Sequence, residues 1–131
     1  MPEINAIARF DLQRTPLLTD LYQLNMMQAY LEGGQTEPAV FELFFRKLPP
    51  RRGFLLAAGL AQALEFLEGL CFQPAELDWL TASGRFSRGF VDYLAGFRFT
   101  GEVHAMPEGT VFFPDEPILR VTAPLPEAQL V

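Results

Sequence analysis

The chain has 131 residues, of which half are hydrophobic, and a formal net charge of −6. A chain of this length fits one domain with a core of its own, and its negative charge opposes general nucleic-acid binding. Glu65 and Glu68 interrupt the most apolar stretch, so no run approaches the roughly 20 apolar residues of a membrane span. The first residues lack the pattern of a secretion signal, so we expect a cytoplasmic location.

The sequence offers no cluster of residues for binding a metal. Cys71 is the only cysteine and His104 the only histidine, so neither an internal disulfide nor a zinc site of several Cys and His ligands is expected. We interpret Cys71 as a small buried hydrophobic residue. His104 alternates with apolar neighbours along a predicted strand and is interpreted as an ordinary exposed or half-buried histidine.

The most specific string in the sequence is residues 17–23. Asp20 followed by Gln23 has the spacing of a capping box, in which each side chain satisfies a free backbone N–H at a helix start. The apolar positions that follow predict a helix that ends at Gly33 and Gly34, since glycine readily adopts a left-handed C-cap. Tyr22 then lies in the first turn.

Two interpretations of Tyr22 are open on residue chemistry alone. A first-turn tyrosine can pack its ring on the core and point its hydroxyl at water. Alternatively, the ring can stack on a flat ligand at the positive end of the helix dipole, where an anionic group would also be favoured.

A strand and a basic segment follow. Residues 39–47 alternate in the period of a strand, which puts Glu42 and Arg46 on the same face. Such a face is typical of a salt-bridged surface strand, and also of a pocket with a few polar groups. Arg46, Lys47, Arg51 and Arg52 are four of the ten basic residues and lie within seven positions, so they are the local candidates for binding an anionic ligand.

The remaining pattern predicts more helices followed by short strands. We expect a helix at 54–69 with a buried stripe of Leu60, Leu64 and Leu67, a helix that begins at Pro74, and one that Ser87 caps and that ends near 96. Strands are expected at 102–106, 110–113 and 118–122, and their short connections favour antiparallel neighbours. The predicted fold is therefore α+β, with about four helices and a small, mostly antiparallel sheet.

The predicted domain organisation has three parts. Residues 1–16 are interpreted as an N-terminal arm and residues 17–125 as one α+β domain. Residues 126–131 are interpreted as the start of a helix that leads into a further domain. A helix this short has little length over which to bury its apolar side, so we expect the chain to be the front of a longer protein.

Motifs that would make this chain an enzyme by itself are absent from the sequence. It contains neither a Walker-type phosphate loop, nor a Gly-x-Gly-x-x-Gly turn after a strand, nor a Gly-x-Ser-x-Gly elbow. No residue of the chain is therefore assigned a catalytic role, and no metal ligand is assigned either.

Several strings taken together resemble the N-terminal part of nicotinate phosphoribosyltransferase. They occur in order from residue 17 onward, at residues 17–23, 41–49, 53–60, 99–103, 107–110, 116–121 and 126–130. Any one of these strings would be weak evidence for the resemblance, but together they cover nearly the whole chain from residue 17 onward. Asn25 departs from the pattern, in which we expect threonine.

The resemblance implies an enzyme of NAD salvage. The family joins nicotinate to phosphoribosyl pyrophosphate to give nicotinate mononucleotide and pyrophosphate, with Mg²⁺ and with ATP hydrolysis through a phosphorylated histidine. His104 does not match that histidine. The implied fold is the N-terminal domain of a type II phosphoribosyltransferase, whose α/β barrel carries most of the active site and the Mg²⁺ and ATP sites. The chain alone is expected to be inactive.

The resemblance also implies roles for three residues. Tyr22 matches a tyrosine that stacks on the pyridine ring and is lent to the partner's barrel in a homodimer. Arg46 matches an arginine that, in related nicotinamide-using enzymes, reaches the phosphates of the ribosyl donor. Asp20 belongs to the Tyr22 motif, as a helix cap first and a substrate-binding residue second.

Two alternatives are kept. Within the same chemistry, the chain could belong to a nicotinamide or quinolinate phosphoribosyltransferase, because the residues that select the carboxylate would lie in the barrel. From another class, it could be a non-catalytic interaction module whose aromatic and basic residues contact a protein. A continuation into repeated strand-helix units would favour the enzyme.

Overall fold

A computed structural model describes residues 14–131, which form an α+β fold of five helices and five strands. The helices are α1 (Leu21–Glu32), α2 (Leu60–Glu68), α3 (Pro74–Ser83), α4 (Arg88–Ala95) and α5 (Leu125–Leu130). The strands are β1 (Pro38–Leu43), β2 (Leu55–Leu56), β3 (Glu102–Ala105), β4 (Val111–Phe112) and β5 (Leu119–Pro124). No helix among these residues is long and apolar enough to cross a membrane. The predicted arm at 1–16 lies mostly outside the described residues.

The strands form two small antiparallel sheets. In the larger one β5 lies between β1 and β3, with Phe41 opposite Val121 and Val103 opposite the same residue on the other side. The smaller sheet pairs β2 with β4, where Leu55 lies opposite Phe112. The α+β class and the antiparallel pairing are confirmed. The expectation that successive strands would be neighbours is wrong, because β4 pairs with a strand far earlier in the chain instead of with β3 or β5.

The main core lies among the helices. Met27 of α1, Leu80 of α3 and Leu94 of α4 have no measurable exposure, and Phe72 and Phe97 pack edge to face between them with ring centroids 5.8 Å apart. A smaller cluster of Val121, Ala123 and Ala128 joins β5 to α5. The helical half therefore contains most of the buried apolar surface that stabilises this fold.

The predicted helix at 54–69 is wrong in its first part. Leu55 and Leu56 form β2, and α2 begins only after Gly59, whose φ of +97° is a left-handed conformation that interrupts a helix. The N–H groups of Gly59 and Leu60 donate to the carboxylate of Glu108 at 2.8–3.2 Å, so a residue from a distant turn caps α2. Of the predicted buried stripe only Leu67 is buried.

The other helices begin where the sequence places them. α3 has Pro74 in its first turn, and α4 begins after Ser87, whose hydroxyl accepts a hydrogen bond from the N–H of Phe90 at 3.3 Å. The helix expected at the end of the chain is observed as α5, Leu125–Leu130. Its residues Pro126, Glu127 and Ala128 are buried, against the expectation that so short a helix buries little. Cys71 is only half-buried, against the expectation of a buried thiol.

The strand bounds differ modestly from prediction. β1 ends at Leu43 instead of Lys47, so Arg46 lies past the strand. The strands predicted at 102–106, 110–113 and 118–122 are observed as β3, β4 and β5, and β5 runs two residues further to Pro124. His104 is exposed on β3, opposite Arg120, as an ordinary surface histidine would be.

Candidate functional site

Tyr22 lies in the first turn of α1 with its side chain in solvent. It is 63% exposed, and its neighbours Leu18 and Leu21 are 75% and 46% exposed. Three adjoining apolar side chains exposed at a helix start are unusual for a surface that only faces water. The interpretation in which the Tyr22 ring packs on the core of this domain is therefore wrong, and the ring is free to contact another group.

The predicted capping box at the start of α1 is wrong. Asp20 has the extended backbone of an N-cap, but its side chain makes no capping hydrogen bond. Gln23 instead uses its side-chain oxygen to accept a hydrogen bond from the Gln129 amide of α5. Asp20 is exposed beside Tyr22, and only its backbone carbonyl contributes to the helix start, by accepting from Gln23 N–H at 2.9 Å.

The segment before α1 is anchored by residues that the sequence did not single out. Thr15 is buried, donates its hydroxyl to the buried carboxylate of Glu76 in α3, and accepts a hydrogen bond from the Leu17 N–H at 3.1 Å. Glu76 also accepts from the Gln73 N–H at 2.7 Å. The available signal was Glu76 in the first turn of a helix that begins at Pro74, because a glutamate there can accept a hydrogen bond from the N–H of the residue before the helix. These contacts fix the chain as it enters the turn that carries Tyr22.

Arg46 lies on a different element, in the connection from β1 to β2. Its side chain is exposed, as are those of Lys47, Arg51 and Arg52, so the basic segment faces solvent. Glu42 and Arg46 do not share a strand face as predicted, because β1 ends at Leu43. Glu42 instead accepts two hydrogen bonds from Arg120 of β5, at 2.8 Å from Nε and 2.6 Å from Nη2.

The open face of the larger sheet carries a shallow depression. It has a volume of about 250 Å³ and is lined by His104, Ala105, Met106, Pro117 and Arg120. None of the predicted site residues lines it. Residues 14–131 also contain no group of three or more His, Cys, Asp or Glu side chains that could hold a metal ion, so no Mg²⁺ ligand is assigned among them.

The comparison with protein families identifies this domain. A family model described as the nicotinate phosphoribosyltransferase (NAPRTase) N-terminal domain matches residues 17–131. The chain belongs to this family. A nicotinate phosphoribosyltransferase of Mycobacterium tuberculosis is 54% identical over 115 residues, which are 88% of this chain and 25% of that protein. The chain thus spans about a quarter of the length of the curated relatives that it matches.

Two solved structures share the fold of this chain. The crystal structure of human nicotinic acid phosphoribosyltransferase superposes with a TM-score of 0.75 at 36% identity, covering 86% of this chain and 23% of the human one. A nicotinate-nucleotide pyrophosphorylase from Pyrococcus furiosus has a TM-score of 0.64 at 19% identity, over 93% of this chain and 25% of that one. At that identity the second match indicates a common fold alone. The resemblance to the nicotinate phosphoribosyltransferase N-terminal domain is confirmed.

Proposed function

We propose that this chain is the N-terminal part of an enzyme of NAD salvage that joins nicotinate to phosphoribosyl pyrophosphate, giving nicotinate mononucleotide and pyrophosphate. The family match over residues 17–131 carries the proposal, and the relatives named nicotinate phosphoribosyltransferase support it. Coupling to ATP hydrolysis, a need for Mg²⁺ and a cytoplasmic location remain predictions from the sequence and the resemblance.

The proposed domain arrangement rests on the length of the relatives, of which this chain spans about a quarter. Residues 17–125 form the N-terminal domain, and 126–131 lead towards an α/β barrel that holds most of the active site. The exposed apolar residues of β1, β2 and β4 support this arrangement, because a further domain would remove them from water. The 131-residue chain is then inactive by itself.

In the proposed reaction, the pyridine nitrogen of nicotinate attacks the anomeric carbon of the ribosyl donor while the bond to pyrophosphate breaks. Positive charge develops on the sugar and negative charge on the leaving group, so aligning the flat nucleophile and neutralising the phosphates are the main tasks. Tyr22 would serve the first by stacking on the pyridine ring, across the interface of a homodimer. Its exposed position on a helix start is what such a contact needs.

Arg46 would serve the second task. An arginine guanidinium binds phosphate oxygens through two parallel hydrogen bonds, and the neighbouring Lys47, Arg51 and Arg52 raise the local positive potential in a chain of net negative charge. Asp20 is proposed as a minor substrate-binding residue beside Tyr22, since its carboxylate makes no capping hydrogen bond to α1.

The test uses the full-length protein and measures nicotinate mononucleotide formation from nicotinate, with nicotinamide and quinolinate as alternative substrates. Product formation from nicotinate and from neither alternative substrate supports the proposal. A preference for nicotinamide or quinolinate would instead assign the chain to the corresponding related phosphoribosyltransferase. Absence of product from all three would favour a non-catalytic interaction module.

Variants of Tyr22 test its role directly. Tyr22→Ala removes a stacking contact and is expected to raise KM for nicotinate about three- to tenfold, in line with the strength of aromatic pairs. Tyr22→Phe keeps the ring and should stay near wild type. An unchanged KM in Tyr22→Ala would remove the stacking assignment.

A further inference from the structure

We propose that Glu116 is a positioning residue for Arg46, acting through the turn between β4 and β5. This inference rests on the proposed role of Arg46 with the ribosyl donor. The turn comprises residues 113–118 and lies beside the segment 43–46, where the chain leaves β1. Nothing in the sequence pattern links these two segments, and the contacts between them emerge only in the folded chain.

Two backbone hydrogen bonds hold the segment that leads to Arg46. The Leu43 carbonyl accepts from the Ile118 N–H at 2.9 Å, and the Phe45 carbonyl accepts from the Asp115 N–H at 2.7 Å. The second bond is at the peptide unit that joins Phe45 to Arg46. It therefore restricts the backbone at the point from which the Arg46 side chain departs, although the regular strand has already ended at Leu43.

A ring contact supports the same segment. The Phe45 ring lies 5.8 Å from the ring of Phe112, which is buried in the smaller sheet. Phe45 is thereby held at its carbonyl by one side of the turn and at its side chain by the strand that precedes the turn. The position of Arg46 depends on both contacts.

Glu116 fixes the shape of the turn that makes these contacts. Its Oε2 accepts a hydrogen bond from the Phe113 N–H at 2.7 Å, and its own N–H donates to the Phe113 carbonyl at 3.3 Å. Asp115 between them has a φ of +67°, the left-handed region that aspartate tolerates better than most residues. This conformation directs the Asp115 N–H at Phe45. Without the hydrogen bond to Glu116, the turn is less strongly held in this conformation.

The functional consequence is preorganisation of a long cationic side chain. Ordering a segment when a ligand binds costs free energy, so a backbone that is already fixed at Phe45 reduces the ordering that remains when Arg46 binds its ligand. Because Glu116 would act only through Arg46, its loss should weaken binding of the ribosyl donor and leave nicotinate binding unchanged.

The experiment compares Glu116→Ala, Glu116→Gln and Arg46→Ala in the full-length enzyme. We expect Arg46→Ala to raise KM for phosphoribosyl pyrophosphate about ten- to hundredfold, as for a lost charged hydrogen bond. Glu116→Ala should raise the same KM about three- to tenfold, with kcat and KM for nicotinate within about twofold. Glu116→Gln keeps an acceptor for the Phe113 N–H and should restore the wild-type value.

A second substitution, at Asp115, disturbs the same turn through its backbone. Asp115→Val places a β-branched residue in left-handed backbone, which strains the turn, and should reproduce the Glu116→Ala effect. Asp92→Ala is the matched control, since it removes an exposed carboxylate from α4 and should leave every constant unchanged. Thermal unfolding of each variant separates a loss of folded protein from a change in KM.

The double variant Arg46→Ala/Glu116→Ala decides the mechanism. If Glu116 acts through Arg46, its substitution adds nothing once Arg46 is gone. An equal further rise in KM in the double variant, or a lower melting temperature with unchanged KM in Glu116→Ala, would overturn the positioning role alone. If Arg46→Ala leaves KM for the donor unchanged, the Arg46 assignment fails and the positioning role fails with it.

Discussion

The helical half of the domain and its strand half bury their apolar residues to very different extents. The helical half, α1 to α4, has Met27, Leu80 and Leu94 fully enclosed. The strand half, β1, β2 and β4 with their connections, leaves Leu56 58% and Phe113 52% exposed. The first half is stabilised by its own side chains, whereas the second has apolar side chains that its own fold does not cover. The proposed site residue Arg46 lies in the second half, and Tyr22 lies at the edge of the first.

The largest expected effect comes from a core leucine of the helical half. Leu80→Ala removes a side chain with no exposure from between helices, and should lower the free energy of unfolding by about 2–5 kcal/mol because it leaves a cavity. Leu56→Ala in the strand half is the matched control and should cost less than about 1 kcal/mol. Urea unfolding of the 131-residue chain measures both, at concentrations below the micromolar range in which we expect it to self-associate. Equal losses would contradict the contrast between the two halves.

The second prediction concerns association of the isolated chain. Its exposed apolar residues in the strand half include Val40, Phe44, Phe54, Val111 and Phe113. The 131-residue chain should therefore self-associate at micromolar concentrations, as other proteins with large exposed apolar patches do. The double variant Phe54→Ser/Phe113→Ser should reduce the association seen by analytical ultracentrifugation. A monodisperse wild-type chain that unfolds cooperatively would show that this surface needs no cover.

A smaller loss of folding stability is expected on substitution of Glu108, which joins the two halves. Its carboxylate, from the turn before β4, accepts hydrogen bonds from the N–H groups of Gly59 and Leu60 at the start of α2. Glu108→Ala should cost about 1 kcal/mol, the usual value of a lost helix cap, and Glu108→Gln should cost less. Amide hydrogen exchange should locate the loss in the first turn of α2. Faster exchange throughout α3 and α4 instead would mean that the cap stabilises the whole helical core.

Local signals in the sequence were sufficient to predict where most helices of the helical half begin and end. Ser87 as a cap, Pro74 in a first turn and the glycines after α1 each act within a few residues of their own position, so they could be read without the fold. Glu108 and Thr15 act on partners far along the chain, at Leu60 and Glu76, and no local pattern records such a contact.

The strand half was harder to predict because its strands also pair with partners that are far away along the chain. Leu55 and Leu56 have the composition of a helix, but pairing with β4 makes them a strand, and tertiary pairing overrides such weak preferences. The residue types and order around Tyr22 and Arg46 were available from the resemblance. The exposure of Tyr22 and the turn that holds Phe45 depend on packing, and could not be read from the sequence.

The smallest expected effect is a pH dependence of stability at Tyr93 of α4, which is half-buried and lies within the electrostatic influence of Glu127 in α5. Burial raises the pKa of the Tyr93 hydroxyl above 10.0, and the negative charge of Glu127 raises it further. The folded state thus disfavours the ionised ring, so this contribution to stability is complete below pH 10 and is lost as the pH rises through the raised pKa. Tyr93→Phe keeps the ring beside Phe97, at 6.0 Å between centroids, and removes the titration. Urea unfolding from pH 8 to 11 should therefore show a shallower fall in stability for Tyr93→Phe than for wild type. Parallel curves would mean that water reaches the Tyr93 hydroxyl in spite of the burial that raises its pKa.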